Sequence, residues 1–141
     1  MYVTMYSIVK NFLKIHQIVS NLLDNALKYS PAGSPVRIKS RRQGSFAVIA
    51  VEDEGPGVPD HLTDKIFDRF YQVDQSATRP TGGAGLGLYI CRKLADAIDG
   101  EIWVGRTPSG GAAFELKLPC PLPGVVAGIS LAVPETDLIL P

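Results

Sequence analysis

Three groups of residues in this 141-residue chain have types and spacings suited to chemistry. Lys14, Gln17, Asn21, Asn25 and Lys28 recur every three or four positions. On a helix they form one polar line, with Asp24 beside it. That line could simply be a solvated face. Yet Asn disfavours helix interiors, and its carboxamide offers one uncharged acceptor and two donors. A carboxamide oxygen suits Mg²⁺ that is also held by phosphates, and Lys28, one turn on from Asn25, suits a phosphate. The second group is Asp53-Glu54-Gly55-Pro56-Gly57. An Asp at a strand end accepts a hydrogen bond from an exocyclic amine such as that of adenine, and glycine lets backbone approach a ligand. A plain turn has the same composition. The third is Gly82-Gly83-Ala84-Gly85-Leu86-Gly87-Leu88. Unobstructed N–H groups at a helix start attract anions. It is neither a Walker loop nor a dinucleotide fingerprint, because no Gly-Lys-Ser/Thr follows and no strand immediately precedes it.

Several elements must position these groups. Met1 to Val9 is apolar, aromatic and β-branched, which predicts a strand. Asn11 then caps a helix. Phe12, Ile15, Val19, Leu22, Ala26 and Tyr29 form its apolar stripe, widened by Leu23 and Leu27. Val36 to Arg42 and Phe46 to Val51 predict a hairpin. His61 to Phe70 reads as a short helix or turn. Gln72 to Gly85 reads as a lid, and Leu86 to Ile98 as a second amphipathic helix stopped by Gly100. Glu101 to Gly105 and Ala112 to Leu118 close with another hairpin. This order predicts an α+β fold: a two-layer sandwich with a mixed, mostly antiparallel sheet, three helices on one face and a lid.

The composition narrows the class. The chain is 45% hydrophobic and 20% charged, with 14 basic and 14 acidic side chains. That suits one globular domain with a folded radius of gyration of about 14 Å. It argues against disorder, and zero net charge argues against a nucleic-acid partner. No run approaches the roughly 18 to 20 apolar residues of a membrane span, and no signal peptide opens the chain. Cys91 and Cys120 are isolated and suggest neither a disulfide framework nor a zinc site, so a reducing, cytoplasmic setting is expected. The division is a domain over 1–118 and a tail over 119–141. The tail holds five of the eleven prolines and no Lys or Arg, and is expected to be extended, poorly ordered or docked on an apolar surface.

Together the motifs resemble those of sensor histidine kinases. Asn21-Leu22-Leu23-Asp24-Asn25-Ala26-Leu27-Lys28-Tyr29 is similar to the N box. Asp53-Glu54-Gly55-Pro56-Gly57 is similar to the G1 box, Ile66-Phe67-Asp68-Arg69-Phe70-Tyr71 to the F box, and Gly83-Ala84-Gly85-Leu86-Gly87-Leu88 to the G2 box. Gly110-Gly111-Ala112-Ala113-Phe114 resembles the last glycine motif. Order and spacing agree with the family over about Asn11 to Pro119. The family is the histidine-kinase-type ATP-binding domain, with the Bergerat fold shared by gyrase-type ATPases.

The resemblance implies ATP and Mg²⁺ as cofactors. It implies Asn25 as the metal ligand, Lys28 on phosphate and Tyr29 near the nucleotide. It implies Asp53 on the adenine amine, with Gly55 and Gly57 beside the base. Ile66, Leu86 and Leu88 join the nucleotide site, Phe67 and Phe70 anchor the lid, and Gly83, Gly85 and Gly87 supply the hinge and phosphate-facing backbone. Gln72 stands where the family often has Arg, which leaves Arg69 and Arg79 as phosphate contacts. Asn11 replaces the family's usual Asp.

The same resemblance implies a phosphoacceptor histidine on a dimerisation helix and a downstream response regulator. His16 and His61 lack the acceptor's neighbours, so the acceptor is expected outside this chain. Asn21 occupies the place where gyrase-type ATPases carry a Glu general base. It cannot take a proton as a carboxylate does, so transfer to an external histidine is favoured over hydrolysis, with Asn21, Asn25 and Lys28 as the catalytic set. A nucleotide-binding regulatory module, an ATPase and a serine kinase are the alternatives.

Overall fold

The computed structural model describes residues 5–73, 85–120 and 136–140. Its first element is a 25-residue helix, α1 (Met5–Tyr29). The strand expected over Met1 to Val9 is therefore corrected from Met5 onward, and Asn11 lies inside the helix rather than capping it. Helix propagation explains this: once nucleated, each added residue gains one bond, and β-branched residues give up only tenths of a kcal/mol in helix propensity.

Strands β1 (Val36–Gln43) and β2 (Phe46–Glu52) form the expected hairpin, from Arg37 opposite Glu52 to Gln43 opposite Phe46. Two single 3₁₀ turns, Asp60–Leu62 and Lys65–Phe67, occupy the segment expected as a short helix. Helix α2 (Gly87–Asp96) follows, then β3 (Glu101–Arg106), β4 (Ala112–Pro119) and β5 (Thr136–Leu140). The sheet order is β3-β4-β2-β1-β5, and every described pairing is antiparallel. The fold is an α+β sandwich with the helices on one face of an open sheet.

The core lies between α1, α2 and the inner sheet face. Ile18, Leu22 and Ala26 from α1 meet Cys91 and Ala95 from α2. The sheet answers with alternate residues: Ala112, Phe114, Leu116 and Leu118 of β4 are buried while their neighbours are not, as period two requires. Ile18 takes the inward place that the sequence pattern assigned to Val19, and Phe12, expected in the stripe, is 64% exposed. The outer face carries charge pairs: Arg37–Glu54 at 3.1 Å, Lys39–Glu52 at 3.0 Å and Arg41–Glu115 at 3.1 Å. Each is partly exposed and contributes little to stability. Hydrogen bonding to Glu115 raises the Arg41 pKa above its usual value.

Strand β5 pairs with the outer edge of β1, Val36 opposite Leu140 and Ser40 opposite Thr136. It places five tail residues in the sheet. No helix among the described residues is long and apolar enough to cross a membrane.

Candidate functional site

A cleft of about 360 Å³ opens between α1, the loop after β2 and the start of α2. It gathers residues from all three sequence groups. Asn21, Asp24, Asn25, Lys28 and Tyr29 line it from α1. Asn21, Asn25 and Lys28 stand at i, i+4 and i+7, so one helix face delivers them together. The Lys28 Nζ lies 5.3 Å from the centre of the Tyr29 ring, a cation–π distance.

Asp53 lies at the end of β2 and is only 4% exposed. Its Oδ1 accepts two backbone N–H bonds, from Gly55 at 2.9 Å and from Ala112 at 3.1 Å. A buried carboxylate needs such partners. No bond to Oδ2 is made among the described residues, and the side chain borders the cleft. Gly57, Pro56 and Val58 continue this wall, whereas Gly55 does not line it. Gly55 acts instead as a donor that orients Asp53.

The third wall is Gly85, Leu86, Gly87 and Leu88, at and just before the first turn of α2. Leu86 precedes the helix and makes no side-chain cap, so the first N–H groups of α2 are uncapped by it. Gly85 has φ of +68°, and a Cβ there would lie 2.9 Å from the Phe70 carbonyl carbon. Its own carbonyl accepts the Phe70 N–H at 3.0 Å. Asn21 joins the two helices: its Nδ2 donates to the Gly87 carbonyl at 3.5 Å.

Ile66 also lines the cleft and is buried. Phe67 is buried behind it, edge-on to Phe114 with centroids 6.3 Å apart. Phe70 does not line the cleft. It is 59% exposed, with φ of +63° and the Arg69 guanidinium 4.8 Å from its ring centre. Most of the expected lid, including Arg79 and Gly83, lies outside the described residues. Gln72 stands at the cleft edge. His16 and His61 are exposed and do not line it.

Sequence reasoning missed Val58, Tyr71, Val73, Ala112 and Phe114 as lining residues. Ala112 and Phe114 were findable, because they share the inward face of β4. Among the described residues no group of three or more His, Cys, Asp or Glu could hold a metal ion.

Known proteins resemble this chain in sequence and in fold. The sensor histidine kinase WalK of Bacillus subtilis strain 168 is 42% identical over 108 residues, 75% of this chain and 18% of that protein. The sensor histidine kinase TmoS of Ectopseudomonas mendocina is 41% identical over 111 residues, 78% of this chain and 11% of that one. The chain thus spans under a fifth of the length of these relatives. Among solved structures, the mycobacterial sensor histidine kinase MprB superposes with a TM-score of 0.66 at 29% identity, over 77% of this chain and 72% of that one. Full-length ShkA in complex with AMPPNP gives a TM-score of 0.63 at 34% identity, over 77% and 22%. Residues 10–122 match the model of one family, and the chain belongs to it: the histidine kinase-, DNA gyrase B- and HSP90-like ATPases.

Proposed function

We propose that this chain is the ATP-binding part of a sensor histidine kinase. In this reading it holds Mg-ATP in the cleft and presents the γ-phosphate to a histidine on a dimerisation domain outside the chain. The observation that carries the reading is Asp53, a buried carboxylate with one oxygen held by two backbone donors and the other without a partner among the described residues. An acceptor so fixed at a cleft wall suits the 6-amino group of adenine. The ShkA structure was solved in complex with AMPPNP, which supports an ATP-like ligand here.

The other residues fit the rest of the nucleotide. Ile66, Val58 and Leu88 offer apolar surface near the base. The first turn of α2 offers N–H groups and a favourable dipole for phosphate. Lys28 supplies a positive charge and Asn25 a neutral carboxamide oxygen. Asp24 and Asp53 are the acids among the described residues that line the cleft, so the protein donors are few. That suits an ion whose remaining ligands are phosphates and water. When bound, Mg²⁺ neutralises charge on the phosphates.

Asn21 favours transfer over hydrolysis. Its amide donates to Gly87 and holds no carboxylate to draw a proton from water. The domain then acts by positioning, and a histidine supplied from outside is the nucleophile. A response regulator receives the phosphoryl group afterwards.

The test mixes the chain with a dimerisation domain from a WalK-type relative and labelled ATP. An acid-labile, alkali-stable phosphoprotein is expected. ATP binding with no label would make the chain a regulatory nucleotide-binding module. Steady phosphate release without the partner would make it an ATPase.

A further inference from the structure

We infer that Thr107 is a positioning residue that sets the cleft's preference for adenine, acting through the turn that carries Ala112. The inference rests on the proposed adenine contact of Asp53. Thr107 is one of two buried polar residues of the described chain, the other being Asp53 itself. It follows β3 and opens the turn that leads into β4.

Every polar group of Thr107 is spent on that turn. Its N–H donates to the Gly111 carbonyl at 2.9 Å, and its own carbonyl accepts the Gly110 N–H at 2.9 Å. Its Oγ1 accepts the Gly111 N–H at 2.8 Å and lies 3.0 Å from the Ser109 Oγ. The hydroxyl therefore ties down the residue just before Ala112.

Two contacts carry that placement to Asp53. Gly111 packs so closely on the Asp53 carbonyl oxygen that a Cβ there would collide with it. Ala112 then donates to Asp53 Oδ1 at 3.1 Å. A turn that loosens shifts the donor that fixes the carboxylate's rotation. Oδ2 is then less well aimed at the cleft, although no atom of Thr107 reaches a ligand.

A purely structural threonine would lower affinity for every nucleotide alike. A residue that aims Asp53 affects only ligands that use the exocyclic amine. The test compares ATP with purine riboside triphosphate, which keeps the ring and phosphates but lacks the 6-amino group. Both are titrated by calorimetry into the full chain, Thr107→Val, Thr107→Ser and Asp53→Asn. Valine keeps the shape and removes the hydroxyl, and thermal melting checks that each variant is folded.

The wild-type chain should bind ATP more tightly than the purine analogue, and Asp53→Asn should abolish that preference. Thr107→Val should bind ATP about tenfold more weakly, the worth of the Asp53 hydrogen bond to the amine that is no longer well aimed, with the analogue's affinity within about twofold of wild type. Thr107→Ser should restore the preference. If the wild type prefers ATP and Thr107→Val keeps the same preference, the inference is overturned while the adenine reading stands. If the wild type does not discriminate, both fall. If Thr107→Val unfolds, loss of preference in Thr107→Ser, whose hydroxyl is retained, would also overturn it.

Discussion

Asp53 and Ala112 hold each other twice. The Asp53 N–H donates to the Ala112 carbonyl at 2.9 Å, and the Ala112 N–H donates to the Asp53 Oδ1 at 3.1 Å. One bond is main chain to main chain and extends the β2–β4 pairing. The other spends half of a carboxylate on the fold. Asp53 is thus locked to an element distant in sequence, with one oxygen still turned to its surroundings.

Replacing Asp53 by alanine therefore has two consequences. ATP affinity should fall at least tenfold, because the adenine amine loses its charged acceptor. Stability should fall by about 1–3 kcal/mol, because the N–H groups of Gly55 and Ala112 lose their partner. Calorimetry with ATP and chemical denaturation read the two effects separately. Unchanged ATP affinity in a folded variant would reject the adenine contact.

Asn25→Ala should remove the Mg²⁺ dependence of ATP binding while leaving the fold intact. Asn25 lies on the cleft side of α1, whereas its neighbour Ala26 is in the core. Titrations with and without Mg²⁺ check this. A variant whose ATP binding still responds fully to Mg²⁺ would rule Asn25 out as the ligand.

Gly85→Ala should destabilise the chain by roughly 1–3 kcal/mol, since positive φ is unfavourable for alanine. Here the backbone of Phe70 also blocks the added methyl. Thermal melting measures the loss. A variant as stable as wild type would mean that Gly85 does not hold this conformation in solution.

Cys91 predicts a loss of stability in alkali. Its thiol is buried, 3.8 Å from the Ile18 carbonyl, and burial pushes its pKa up from 9.0 to about 11, partly offset by a hydrogen bond with Asn21. A raised pKa means that the folded state keeps its proton where the unfolded chain has lost it. Stability is fully present below about pH 9 and is lost as pH rises towards 11. The loss is about 2 kcal/mol. Urea melts from about pH 8 to about pH 11 on wild type and Cys91→Ala separate this slope from other groups. Equal slopes in the two would contradict it.

Strand β5 should be separable from the cleft. Successive amides of a strand point to opposite sides, so one of Leu138→Pro and Ile139→Pro removes a bond to β1. At least one variant should speed amide exchange along β1, and neither should change ATP affinity more than about twofold. Unchanged exchange in both would mean that β5 does not pair with β1 in solution.

Much of this arrangement was legible because local chemistry and topology agree. The polar line of α1 kept its spacing, and Asn21, Asn25 and Lys28 reach one cleft. Both hairpins appeared where alternation and turn residues placed them. The helix's first residues were misread because Met1 to Val9 has β-branched composition, and composition does not register that a helix already nucleated downstream extends cheaply. Ile18 and Val19 were interchanged because both fit a wide stripe and only the position of α2 chooses between them. Strand β5 was hidden by its proline-rich approach and by a partner about a hundred residues away. The Asp53–Ala112 bond, 59 residues apart in sequence, leaves no trace in spacing at all.

The most direct test of the central claim is a titration of the purified chain with ATP, with and without Mg²⁺, beside Asp53→Asn. Saturable binding that strengthens with Mg²⁺ and weakens about tenfold or more in the variant is the predicted result. No binding by the folded wild-type chain, or equal binding by Asp53→Asn, would contradict the account.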